Sequence, residues 1–469
     1  MIADLKPYAD YKDSGLSWLG QMPGHWETQR SKYLFCETDQ RSVAGTEQRL
    51  SMSQRHGLIR SSQLEERRLV SESSVGGKLC EAGDLVLNRL KAHLGVLAVS
   101  PMHGVVSPDY TVLRPIGTTN HHYFCAVYRS PHCGQELRRR AKGIVEGFWR
   151  LYTDDFYDIR VPVPPPDEQA AIVRFLDWAG GRLERTIRAK RKAIALLTEQ
   201  KQAIIHRAVT RGVEAGTPLK PSGVPWIGDI PQHWTVMPIK RTCILVRDGT
   251  HLPPARTVSG LPLLSVRNMI NGRMVRRTDD SFISQADFEQ LNRSFVVRPN
   301  DVLMAIVGAT LGKVAIVDDI GSFQIQRSVA LLRPRIELMA CAFLATFLRS
   351  PRLQQHLWQS VAFSAQPGIY LGFVANVPVP VPPTVDEQLS ICDRLQRELA
   401  PVDTAVARLT REIELLREYR IRLVADVVTG KLDVRAAALR LPDEVLPDIA
   451  EGAIDDIEDA ELTDQEAEA

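Results

Sequence analysis

Val161-Pro162-Val163-Pro164-Pro165, followed by Asp167-Glu168-Gln169, opens a charged and aliphatic run that stops at Val209-Thr210-Arg211-Gly212. The chain carries this stretch twice. The second copy begins Val379-Pro380-Val381-Pro382-Pro383, passes through Asp386-Glu387-Gln388 and stops at Val428-Thr429-Gly430. Glu168 matches Glu387, and Leu196-Leu197 matches Leu415-Leu416, by one shift of 219 positions. A register held over that distance marks an internal repeat.

The spacing inside the run predicts its structure. Leu183, Ile187, Lys190, Ile194, Leu197, Lys201, Ile204 and Ala208 alternate steps of four and three, which is the seam of a coiled coil. Val402, Val406, Leu409, Ile413, Leu416, Arg420, Leu423 and Val427 repeat it. Acids stand in the first turn of each copy, and Thr384 with Glu387 has capping-box spacing. Gly212 and Gly430 fall where a left-handed cap belongs. Gly180-Gly181 in one copy and Pro401 in the other sit at matching places, so a short helix is expected before each long one. The long segments, about 28 residues at about 1.5 Å rise, reach roughly 42 Å, a spacer's length. Two such helices either pair with each other or pack on their own domains. Antiparallel pairing is the expectation, with Lys190 brought near Arg420 and both obliged to reach outward.

The repeat extends upstream. Ser14-Gly15-Leu16-Ser17-Trp18-Leu19-Gly20 with Pro23-Gly24-His25-Trp26 returns, 208 positions on, as Ser222-Gly223-Val224-Pro225-Trp226-Ile227-Gly228 with Pro231-Gln232-His233-Trp234. This opener reads as a packed anchor for the start of a domain. Short β-branched runs follow each opener: Gly83–Leu87, Gly95–Val99 and Tyr110–Pro115 in the first half, Asn300–Met304, Gly312–Val317 and Val329–Pro334 in the second. An apolar helical stretch then ends at Arg129-Ser130-Pro131 or Arg349-Ser350-Pro351. The expected fold is therefore α+β, a pseudo-twofold repeat of two β-rich globular segments separated by two long helices that pair as an antiparallel coiled coil. Its parts are an opener (1–26), a first globular segment (27–160), a helical spacer (161–212), a linker with the second opener (213–234), a second globular segment (235–378), a second spacer (379–435) and an acidic tail (436–469). The skeletons match while intervening residues do not: 59–78 has no clear counterpart around 269–293. A shared scaffold with different loops suggests two different specificities, suited to DNA read at two half-sites about 34–36 Å apart.

At 469 residues and 44% hydrophobic content the chain can build real cores. With no apolar run of spanning length and no signal-peptide pattern at Met1, a cytoplasmic protein without a membrane role is expected. The seven cysteines form no CxxC pair, which argues against zinc ribbons and disulfide frameworks. Twelve acids and no Lys or Arg lie from Leu441 onward, so residues 1–440 hold 58 basic against 44 acidic side chains, a net of +14. A basic body favours polyanions.

Catalytic patterns are absent from the sequence. Gly308-Ala309-Thr310-Leu311-Gly312-Lys313 has its glycines one residue too close for a phosphate loop, and Val314 stands where Ser or Thr should bind magnesium. Ser107-Pro108-Asp109 lacks a nearby Glu-x-Lys. His121-His122, with Cys125 and Cys133, does not complete a metal set. Recognition residues are plentiful, since DNA reading needs Arg or Lys for guanine and phosphate and Asn or Gln for adenine edges. The candidates are Arg89, Lys91, His93, Arg138, Arg139, Arg140 and Lys142 in the first globular segment, with Trp149 and Tyr152 following. In the second they are Arg267, Asn268, Arg273, Arg276, Arg277, Lys313, Gln324, Gln326, Arg327, Gln366 and Tyr370.

The twofold order of Trp-x-Gly and Pro-x-His-Trp opener, variable segment, Pro-Val-Pro-Pro and Asp-Glu-Gln lead and long helix resembles the specificity subunit of type I restriction-modification enzymes, from about Ser14 to Val434. Gly83–Leu90 and Val106–Tyr110 also look like motifs of that family's target-recognition domains. The second half departs from them at Ala305-Ile306-Val307 and Gln326-Arg327-Ser328. The resemblance implies a non-catalytic subunit whose two target-recognition domains each read half of an asymmetric, interrupted site in double-stranded DNA. It implies as partners two methyltransferase subunits and the restriction and translocase subunits, with S-adenosylmethionine, ATP and magnesium held by them and no cofactor in this chain. The rival expectation is a structural adaptor whose two domains bind proteins.

Overall fold

The computed structural model describes residues 5–53, 56–63, 74–143, 149–252, 254–361 and 367–442. They divide into two compact units: residues up to Lys190 together with those from Arg411 on, and residues 191–410.

In the first unit the three runs predicted as strands join a fourth, Phe35–Thr38, that was not among them, in an antiparallel sheet of the order Phe35–Thr38, Tyr110–Pro115, Leu85–Asn88, Leu97–Val99. The second unit repeats that order with Cys243–Asp248, Val329–Pro334, Val302–Ala305 and Val314–Ile316, and adds two short strands, Arg273–Met274 and Met269–Ile270. An ion pair to a buried carboxylate braces each sheet: Arg114 to Asp84 at 3.1 Å, and Arg333 to Asp301 at 2.7 Å. The turn leading into each carboxylate needs a positive φ, supplied by Gly83 (93°) in one unit and Asn300 (69°) in the other. The units part company in their insertions. The first carries the hairpin Leu50–Ser53 with Gly57–Arg60. The second carries a separate sheet of Phe282–Ile283, Leu261–Leu264 and Gln324–Ile325 beside the helix Gln285–Asn292.

The Pro-Val-Pro stretch is a strand. Arg160–Val163 pairs antiparallel with Glu27–Arg30, and Pro378–Val381 with Thr235–Pro238, so each opener's end is stitched to the lead of the next helix. Prolines fit because each ribbon has only two strands and leaves edges that need no donor. Trp26 and Trp234, at the ends of the openers, are fully buried. Trp26 Nε1 donates to Glu168 at 3.1 Å and Trp234 Nε1 to Glu387 at 2.8 Å. The glutamines of the two Asp-Glu-Gln motifs are also buried. Gln169 Nε2 donates to the Pro164 carbonyl at 2.8 Å, and Gln388 Nε2 to Leu338 O at 2.8 Å. The expected capping box is half formed: Glu387 N donates to Thr384 Oγ1 at 3.2 Å, while the Glu387 carboxylate serves the tryptophan instead.

Each long helix is continuous, Pro166–Arg211 and Val385–Val428, which corrects the expected short-then-long division. Pro401 lies on the solvent face, where water can take over the Arg397 carbonyl that loses its donor. Its cost of about 3 kcal/mol is small beside seam burial at about 1.5–3 kcal/mol per side chain. Gly180 and Gly181 keep negative φ, with open space where a Cβ would stand.

The seam positions are the shielded ones. Leu183, Ile187, Ile413, Leu423 and Val427 are buried, and Ile194, Leu197, Ile204, Val402, Val406, Leu409 and Leu416 partly so. In the first unit Lys190 Nζ meets Glu412 Oε2 at 2.5 Å and Arg420 meets Glu184 at 3.4 Å, so each base finds an acid on the facing helix rather than the other base. In the second unit Lys201 pairs with Asp403, and Arg207 with Glu398 at 3.1 Å. Later residues of one helix face earlier residues of the other within each unit, the antiparallel sense.

Each unit's core is consequently built from one helix's start and the other's end. Ile172, Phe175, Leu423 and Val427 join Trp26, Phe35 and Phe124 in the first, whereas Val209, Ile391 and Leu395 join Trp234, Phe343 and Phe347 in the second. Both helix ends carry the left-handed glycine, with φ of 72° at Gly212 and 76° at Gly430. At Gly430 the close approach is severe, because a Cβ would stand 2.3 Å from Pro23 Cδ.

Candidate nucleic-acid interface

In both units the variable turns gather at one end of the sheet. In the first, Tyr110 pairs with Asn88, so the 89–96 turn and the 107–109 turn emerge together. A third segment is held to them, with Leu151 N donating to Arg89 O at 3.1 Å. In the second, Ala305 pairs with Val329, which joins the 306–313 and 326–328 turns. Ile369 N then donates to Ile306 O at 2.9 Å. The residue after that donor is Tyr152 in one unit and Tyr370 in the other. Each begins a short helix, Thr153–Tyr157 or Leu371–Asn376, and each is exposed, by 48% and 87%. The equivalence of Tyr152 with Tyr370 has a signal in the sequence, since the 218-position shift that carries Val161 onto Val379 also carries position 152 onto 370.

Local pairing decides which basic candidates stay available. Arg89 turns inward: its Nε donates to Thr111 Oγ1 at 2.8 Å and its Nη2 to Glu37 Oε1 at 3.3 Å. Glu37 also takes the amine of buried Lys78 at 3.1 Å, and Lys78 in turn holds the Asp39 carboxyl below its usual range. Lys91 is partly buried in the same turn; the side chain of His93 lies outside the described residues. The helix Pro131–Arg140 packs on this turn. On it Arg138 lies over the Trp149 ring at 4.9 Å, while Arg139 and Arg140 share Glu136 at 3.5 and 2.7 Å. Lys142 reaches Asp155 at 2.7 Å.

In the second unit two candidates fail on burial. Asn268 is a core residue, donating to Val275 O at 3.1 Å and to Asp280 Oδ1 at 2.6 Å and accepting from Ser265 N. Gln324 is likewise buried, its amide spent on Asn292 and the Phe295 carbonyl. Neither can present an edge to a groove. The arginines nearby are paired: Arg267 and Arg277 with Asp279 at 3.2 and 2.9 Å, Arg276 with Asp280 at 2.8 Å, Arg273 with Asp318 at 2.7 Å. The Arg277 guanidinium keeps Asp279 below the ordinary carboxylate range. Lys313 and Arg327 differ. Both are exposed, and neither side chain makes a hydrogen bond or ion pair among the described residues. Gln326 sits beside Arg327, partly exposed, where its backbone bridges Thr250. Gln366 lies outside the described residues. The structure therefore brings Lys313, Gln326, Arg327 and Tyr370 onto adjoining turns.

Comparison with known proteins agrees with this architecture. The chain is 24% identical over 285 residues to the MjaVIII type I restriction enzyme specificity subunit of Methanocaldococcus jannaschii, covering 60% of this chain and 64% of that one. It is 26% identical over 282 residues to the EcoBI specificity subunit of Escherichia coli, covering 59% of each. The matched stretch thus spans about three fifths of these relatives' length. A solved structure from work on complex assembly and conformational transition of a type I R-M system has the same fold: TM-score 0.65 at 17% identity, over 88% of this chain and 99% of that one. No family model matches the chain. The resemblance seen in the sequence is thereby borne out, in its curated relatives and in its α+β fold. No helix among the described residues is long and apolar enough to cross a membrane.

Proposed function

We propose that this chain is the non-catalytic, DNA-reading specificity subunit of a type I restriction-modification enzyme. One observation carries the reading: both units frame their variable turns with the same hydrogen bond, to the carbonyl of Arg89 or of Ile306, yet fill the frame with different side chains. Equal frames with unequal contents suit two unlike half-sites of one asymmetric duplex target. The first unit offers Arg138 with Trp149, and Tyr152; the second offers Lys313, Gln326, Arg327 and Tyr370. Long arginine or lysine side chains would hold phosphate while amides and aromatic rings meet base edges.

On this reading two methyltransferase subunits and the restriction and translocase subunits assemble on the chain in the cytoplasm. S-adenosylmethionine, ATP and magnesium then belong to those partners. Two experiments test the proposal. Duplex affinity should fall linearly with salt on logarithmic axes, by about a thousandfold or more between 50 and 200 mM if six or more phosphates are neutralised; a flat titration by fluorescence anisotropy would favour the protein-binding adaptor. Exchanging residues 235–378 for those of a relative should alter one half of the recognised site and leave the other intact, as scored by methylation mapping of the assembled enzyme. A change in both halves would end the two-reader assignment.

A further inference from the structure

In the second unit a cavity of about 480 Å³ opens between the last turn of the first long helix, the second opener and the helix Pro351–Gln359. Its wall is basic: His206, Arg207, Arg211 and Arg352 line it beside Trp226, and among the described residues no carboxylate does. Arg207 and Arg211 have acids outside the wall, Glu398 at 3.1 Å and Asp229 at 3.9 Å. Arg352 makes no hydrogen bond or ion pair among the described residues. His206 Nδ1 is buried there without a hydrogen-bond partner. Burial first, then the positive charge of Arg352 and Arg211, holds the imidazole below its usual pKa.

The internal repeat says whether the scaffold requires these residues. The same three elements of the first unit carry Ala425, Asp426 and His132 at the positions of His206, Arg207 and Arg352, and its helix runs from Thr429 straight to the cap glycine Gly430 with no counterpart of Arg211, while Trp18 matches Trp226. The shared fold therefore stands without the positive charges. They are particular to one unit, and like charges gathered on one wall repel, a cost that an occupant of opposite charge would offset.

We infer that this cavity binds a phosphate-bearing small molecule of nucleotide size. Cavities that hold such molecules run to about 300–1,000 Å³. Arginines supply forked donors matched to phosphate oxygens. Trp226, stacked on His356 at 5.1 Å and 17°, forms a fixed wall for an organic moiety. The lining residues come from none of the turns assigned to DNA reading, so the site is separate from the proposed function.

The test is calorimetry on the full chain with ATP and, separately, with inorganic phosphate. ATP should bind at one site and more tightly than phosphate. Arg352→His, which installs the first unit's residue at an exposed position, should weaken ATP by about tenfold or more, and Arg211→Gln should do likewise. Arg352→Lys should recover part of the loss. Absence of heat with both probes, or unchanged ATP affinity in Arg352→His and Arg211→Gln, would overturn the inference. So would displacement of ATP by a short duplex, which would assign the pocket to the DNA backbone.

Discussion

Glu168→Ala should cost the first unit roughly 3–5 kcal/mol, whereas the matching Glu387→Ala should cost the second only about 1–2. The asymmetry follows from what each carboxylate satisfies. Glu168 is 3% exposed and accepts from Trp26 Nε1 at 3.1 Å and from the Tyr8 hydroxyl at 2.5 Å, with His25 Nε2 at 2.8 Å. Burial, together with Glu168 itself, pushes the Tyr8 phenol far above its usual pKa, so it stays protonated and donates. Truncating Glu168 strands an indole N–H and a phenol O–H in a dry core, each worth about 1–3 kcal/mol when unpaired. Glu387 is a third exposed and serves Trp234 and His233; the position matching Tyr8 is Gly216, which has no side-chain donor to offer. Water can reach what its removal uncovers. Denaturant titration followed by tryptophan fluorescence would measure both losses, and equal values would mean that the additional buried donor contributes nothing.

That clamp also marks what was legible in the sequence. The Pro-x-His-Trp and Asp-Glu-Gln motifs were visible as repeated signals, and the 219-residue shift gave both helices and the antiparallel seam. Their partnership was not visible, because Trp26 and Glu168 meet across 142 positions and local spacing carries no such pairing. The continuity of the helices was misread for a related reason. Pro401 and Gly180-Gly181 weaken a helix by local propensity, but the packing that overrides them comes from distant residues. At the reading surface, residue type was legible and facing was not. Asn268 and Gln324 look like groove readers by type, yet both spend their amides holding turns inside the second unit. The pairing of the arginines at 267, 276 and 277 had a signal close at hand, since Asp279-Asp280 is the acidic pair they meet.

The same facing argument singles out where DNA affinity should be lost. An arginine already paired with a carboxylate must give up that partner to bind phosphate, so its net gain is small. Among the described residues Lys313 and Arg327 have no such partner and lose only hydration, from turns fixed by the hydrogen bonds Ile306 N to Ser328 O and Ala305 N to Lys313 O. Replacing both with alanine should lower the slope of log affinity against log salt by about 1.8, since each neutralised phosphate contributes about 0.9. Arg273→Ala and Arg276→Ala should leave that slope nearly unchanged. Tyr370→Ala removes an exposed ring without charge. It should weaken duplex binding at constant slope, by the roughly 1–3 kcal/mol that an aromatic contact to a base or sugar supplies. Anisotropy with a short duplex across a salt series separates these outcomes: a wild-type slope in the Lys313 and Arg327 double variant would remove the second unit's turns from the DNA surface, whatever happened to affinity.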